Sequence, residues 1–149
     1  MPHKDVTTTT LLQRLFKTAS IARFVKHYDE QMGLVPFCAY LSDLCESRGV
    51  VAEHIILKSG IERTYGHQFF NGRKKPSRDK AIQLAFGFEM NYDETQELLK
   101  AARKSALYSR VKRDAVVIYA LKQGLAVEEV QATLYDLGLP LLGKEDRYE

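Results

Sequence analysis

The segment from Ser59 to Ser77, SGIERTYGHQFFNGRKKPS, places a glycine turn, a short helical stretch, a second glycine and a basic Pro-Ser stretch in succession. Gly60 suits a left-handed backbone that ends one helix, and the helix after it is then free to lie in a DNA major groove. The chemistry this order suits is hydrogen bonding to base edges by one helix face, with ion pairing to phosphates by the cations that follow. No comparable grouping suits catalysis. Asp93, Glu94 and Glu97 lack a paired base, a glycine-rich phosphate loop or an oxyanion motif nearby. Tyr108, Arg110, Arg113 and Asp114 form a polar cluster in which Arg110 or Arg113 is expected to pair Asp114 as a structural contact. The chain reads as a non-enzyme.

Charge distribution points to the same chemistry. The net charge is +3, yet Lys58 to Lys80 holds seven basic residues against Glu62 and Asp79, a net of +5. Lys100 to Arg113 adds six more without an acid, which leaves −8 for the rest. Such segregation suits a polyanion, because phosphate contacts supply most sequence-independent affinity for DNA. Metal chemistry is not indicated, since His3, His27, His54 and His67 are scattered without cysteine pairs. Cys38 and Cys45 lie on one predicted helix at about 10 Å separation, too far for a disulfide, as suits a reducing compartment. No apolar run approaches the roughly 20 residues of a membrane span, and MPHKDVTTTT lacks a signal-peptide core. These features predict a cytoplasmic chain with no cofactor and no membrane partner.

The elements that must position this chemistry are helices. Thr10 is expected to cap a first helix from Leu11 to about Gln31, burying Leu11, Leu12, Leu15, Ala19, Ala22 and Val25. Phe37, Leu41, Leu44 and Cys45 form the stripe of a second, ending near Arg48 and Gly49. A third runs from about Val51 to Ser59, and a fourth from about Glu62 to Phe70, ended by Asn71 and Gly72. Gly66 inside the fourth costs on the order of 1 kcal/mol relative to alanine, which predicts a weak or tilted helix. Ser77 caps a fifth helix and Asn91 or Asp93 a sixth. Arg110–Gln123 and Val127–Leu137 follow, separated by Gly124 and stopped by Gly138 and Pro140. The 149 residues read as one all-α domain: an N-terminal helical extension to 36, a core over 37–104, and a C-terminal helical hairpin with a tail from 105.

Val51 to about Lys104 resembles the lambda repressor-like helix-turn-helix domain of the XRE (Cro/C1) family. The residues that carry the likeness are Gly60, Ile61, Arg63, Gly72, Arg73, Pro76, Ser77, Leu84 and Ala85. The flanking helices are similar to those of uncharacterised bacterial XRE-type proteins. The resemblance implies a sequence-specific transcriptional regulator that binds double-stranded DNA, with the fourth helix as recognition helix. On that likeness Arg63, Thr64, His67 and Gln68 would face base edges. Arg73, Lys74, Lys75, Ser77, Arg78 and Lys80 would meet phosphates.

A protein-binding adaptor on the same scaffold is the alternative. Val116, Val117, Tyr119, Leu121, Val130, Leu134 and Leu137 then form either the domain's own core or the surface of a homodimer built on the C-terminal helices.

Overall fold

The computed structural model describes residues 7–29, 32–33 and 35–143. These residues form nine helices and no strand, and they divide into two compact units between Leu34 and Val35. No helix among them is long and apolar enough to cross a membrane.

The first unit carries α1 (Thr8–Lys17) and α2 (Ile21–His27), where one long helix was expected. Thr7, not Thr10, caps α1 by accepting from the Thr10 amide. The helix stops because Thr18 is extended and its hydroxyl donates to the Ser20 carbonyl, while the Ser20 hydroxyl caps α2 through the Arg23 amide. Such local hydroxyl bonds compete with helical ones. The expected stripe is accordingly not the buried one. Leu12, Leu15, Ala19, Ala22 and Val25 are exposed, and Phe24 is buried instead. Gln31 lies outside the described residues.

The second unit holds α3 (Phe37–Arg48), α4 (Ala52–Ser59), α5 (Arg63–Phe70), α6 (Arg78–Gly87), α7 (Tyr92–Ala101), α8 (Lys112–Gln123) and α9 (Val127–Asp136). Cys38 and Cys45 on α3 are free thiols, and VVIY lies within α8. Four helix junctions, α3/α4, α4/α5, α6/α7 and α8/α9, share one geometry. A residue at positive φ (Gly49, Gly60, Glu89 or Gly124) is followed by an apolar residue whose amide reaches back into the preceding helix, and the next residue starts the new one. Val50 thus donates to the Cys45 carbonyl, Ile61 to Ile56, Met90 to Ala85 and Leu125 to Ala120. This satisfies end carbonyls that would otherwise lack a donor. The central element is α6, buried from Ala81 to Gly87, with α4, α7 and α9 against it.

Arg78–Tyr108 and Arg113–Gly143 are two copies of one unit, 35 residues apart. Arg78/Arg113, Asp79/Asp114, Ala85/Ala120, Glu94/Glu129, Gln96/Gln131, Leu99/Leu134 and Leu107/Leu142 coincide at that offset. The bonds coincide as well. Gln96 pairs its side-chain amide with both backbone groups of Leu107 at 2.8 and 3.1 Å, and Gln131 does the same to Leu142 at 2.8 and 2.9 Å. Left-handed Glu89 and Arg103 answer to Gly124 and Gly138, so the second copy has glycine where the first tolerates a side chain.

The copies meet reciprocally. Arg78 donates to both oxygens of Asp114 at 3.0 and 2.8 Å and to the Ser105 and Ala106 carbonyls. Arg113 donates to Asp79 and to the Pro140 and Leu141 carbonyls, which are the same positions one copy later. Asp114 also accepts from the Tyr108 amide and Asp79 from the Gly143 amide. Contacts in which the arginine of each copy takes the aspartate of the other define a pseudo-two-fold relation. Packing of α6 on α9 mirrors packing of α7 on α8.

Three sequence expectations can be compared with the structure. Asp114 is paired by Arg78, not by Arg110 or Arg113. The last hairpin begins at Lys112 rather than Arg110 and ends at Asp136 rather than Leu137. Val117, Leu121, Val130 and Leu134 are buried in the chain's own core, Val116 is half-buried against it, and Tyr119 and Leu137 are exposed. Because the two aspartates are equivalent and buried, Asp79→Ala and Asp114→Ala should each lower stability in urea by about 3–5 kcal/mol, the usual cost of stranding a buried charge. A loss under about 1 kcal/mol at either position, typical of an exposed pair, would refute the reciprocal clamp.

Candidate nucleic-acid interface

Helix α5 follows α4 through Gly60, Ile61 and Glu62, with Ile61 buried between them. Arg63 and Thr64 are exposed on its outward side, and His67 and Gln68 are half-buried beside them. Gly66 and Phe69 point inward, Phe70 is half-buried against the core, and the Tyr65 ring tilts against Phe69 at 4.7 Å. Helix α5 is continuous through Gly66, so it is not poorly formed there. A Cβ there would collide with Ile56 of α4, whose Cγ1 and Cβ would stand only 2.9 and 3.2 Å away. The missing side chain is what lets α5 settle on α4.

Two carboxylates shape the outward face. Glu62 is the N-cap of α5 and accepts from the Thr64 and Tyr65 amides at 2.6 and 3.1 Å, so the first turn is already capped by an anion. Those backbone bonds hold its carboxyl below the usual glutamate range. Glu53 on α4 accepts from Arg63 Nε at 2.9 Å through one oxygen and meets His67 Nε2 at 3.1 Å through the other. The Arg63 bond, and next the His67 bond, lower the Glu53 carboxyl, and the same pairing raises Arg63. Sequence reasoning did not give Glu53 a partner, because nothing in a ten-residue separation shows that α4 and α5 cross there. Arg63 donates only through Nε, so its two terminal nitrogens have no hydrogen-bond partner among the described residues.

The basic segment divides into two groups. Arg73, Lys74 and Lys75 are exposed, with no ion pair among the described residues. Their backbone is held by bonds from the Arg73 amide to Asn71 Oδ1 and from the Lys74 amide to the Gln68 carbonyl. Ser77 uses its hydroxyl to cap α6 through the Lys80 amide. Lys80 sits half-buried with its ammonium 5.8 Å from the Tyr65 ring centre. Arg78 was expected at a phosphate, but its guanidinium is turned to Asp114 and to two carbonyls of the 105–106 loop. That contact brings the second basic segment, which includes Ser105 and Ala106, against the start of α6. No group of histidines, cysteines and carboxylates suited to a metal occurs among the described residues.

Comparison with protein-family models, with curated proteins and with solved structures gives no match.

Two outcomes follow from the α4/α5 contact. Gly66→Ala should destabilise the fold by about 1–3 kcal/mol through overpacking, more than the ~1 kcal/mol that alanine returns in helix propensity. Adding Ile56→Ala should make the pair less harmful than the sum of the two, as a double-mutant cycle in urea would read. Additivity would show that Gly66 is not filled by Ile56. Secondly, the Glu53 carboxyl, followed by NMR, should titrate below ordinary glutamate. A depressed carboxylate keeps its contacts through neutral pH and loses them as pH falls through its lowered midpoint. Arg63→Ala should move that midpoint up by more than His67→Ala does, and an unmoved midpoint would sever Glu53 from α5.

Proposed function

We propose that this chain is a sequence-specific double-stranded-DNA-binding transcriptional regulator of the helix-turn-helix type. In this reading α3 to α7 form the lambda repressor-like bundle, α4 and α5 are its helix-turn-helix, and α5 enters the major groove. The observation that carries it is an outward α5 face followed closely by exposed cations: among the described residues the two terminal nitrogens of Arg63 have no hydrogen-bond partner, and Arg73, Lys74 and Lys75 make no ion pair. Glu53 would aim Arg63 by its Nε, so that the terminal fork meets guanine O6 and N7. Thr64, His67 and Gln68 would complete base contact. Arg73, Lys74 and Lys75 would fix register on phosphates, joined by Ser77 and Lys80 at the start of α6. Arg78 is left out of that set because Asp114 holds it.

The alternative, a protein-binding adaptor, draws support from the ionised carboxylates of Glu53 and Glu62 beside the same face, since both would repel a phosphate approaching them. Fluorescence anisotropy separates the two. Random duplex DNA and the region upstream of the chain's own gene are titrated over a range of salt. Specific binding should appear, with Lys74→Ala/Lys75→Ala flattening the log–log salt slope by about 1.8, roughly 0.9 per phosphate lost. Arg63→Ala should reduce discrimination by about 1–3 kcal/mol with little change in slope. Absence of binding at low salt would favour the adaptor.

A further inference from the structure

We propose that the C-terminal hairpin carries a second phosphate grip, Arg110 and Lys112, placed beside Arg73–Lys75 by the pseudo-two-fold relation of the two copies. This inference rests on the DNA-binding reading and extends it to an element outside the helix-turn-helix. At the 35-residue offset, Lys75 answers to Arg110 and Ser77 to Lys112. Both copies are therefore preceded by cations at the same helical end. The crossed pairs Arg78–Asp114 and Arg113–Asp79 set the starts of α6 and α8 side by side. Lys75 is three residues from Arg78, a reach of at most about 11 Å, and Lys112 is next to Arg113. The segments that lead into both helices therefore each begin within that reach of the crossed pairs.

Burial sharpens the charge there. Among the described residues, the carboxylates at the starts of α6 and α8, Asp79 and Asp114, are buried and each is matched by an arginine of the opposite copy. What the pairs leave over is positive: Arg73, Lys74, Lys75, Arg110 and Lys112 are exposed, and none of these five makes an ion pair among the described residues. Lys104 is exposed in the same second segment, before the loop that Arg78 holds. Cations in two strands of chain, fixed to each other by a buried double ion pair, suit the evenly spaced charges of a duplex backbone, whose binding releases counterions. Rigid placement matters because a flexible cluster would lose more side-chain entropy on binding.

The test is the salt dependence of duplex binding by the full chain. Arg110→Ala/Lys112→Ala should make the log–log slope shallower by about 1.8 and weaken binding tenfold or more near 0.1 M salt, at about 0.9 per phosphate. Preference for one sequence over random duplex should persist, since neither residue is assigned a base. Lys122→Ala, an exposed cation at the far end of α8, should leave the slope unchanged. The urea midpoint should stay at the wild-type value, because both replaced side chains are exposed. If Lys74→Ala/Lys75→Ala flattens the slope and Arg110→Ala/Lys112→Ala does not, the second grip is overturned and the helix-turn-helix reading stands. If the unmodified chain binds no duplex at any salt, both fall.

Discussion

The crossed pairing of Arg78 with Asp114 and Arg113 with Asp79 is the constraint on which the second unit depends. Both aspartates are buried, and charges removed from water are tolerable only when partners satisfy them. Each arginine does two tasks at once, since its remaining donors take carbonyls of the loop that closes its own copy. Helix starts, loop ends and the order of α6 to α9 are thereby tied together in one place. Register is tied to charge satisfaction by such a buried network, because any slip of one copy along the other would leave a bare carboxylate inside.

The α4/α5 pair depends on shape rather than charge for its contact and on charge for its outward face. Ile56 occupies the space where Gly66 has no side chain, which sets how closely the helices approach. Only at that approach does Glu53 reach both Arg63 and His67, two residues one helical turn apart on α5. A buried glycine and an exposed carboxylate thus act together, and the base-reading role proposed for α5 draws on both. Helix α5 is also rooted from behind, where Phe69 is buried and Tyr65 leans on it.

Much of the fold was legible in local signals. Ser77 and Asn91 cap as their side chains allow, and Gly49, Gly60 and Gly124 end helices with positive φ. Glu89 and Arg103 do the same work without the glycine signal, so the ends of α6 and α7 were less marked. The N-terminal stretch misled because Leu11, Leu12 and Leu15 have helical spacing, whereas Thr18 and Ser20 break the helix with local hydroxyl bonds. The 35-residue repeat was present in the sequence, but few of its identities are apolar periodic positions, so a search for amphipathic stripes passes over it. Comparing the RD pairs at 78–79 and 113–114 with the glutamines at 96 and 131 would have exposed it.

By itself, the sequence determined the all-helical class, the order of helices after residue 36, the free cysteines and the two basic segments, because these follow from composition, capping and spacing within a few residues. It also singled out α5 and the cations after it as the surface of interest. Tertiary structure decided which charges were available. Arg78 and Arg73 look alike in the sequence, yet one is locked to a buried aspartate 36 residues on and the other is exposed. Ion pairing over such separations depends on which helices cross and at what distance, and that is set by packing: Gly66 against Ile56, and one hairpin copy against the other.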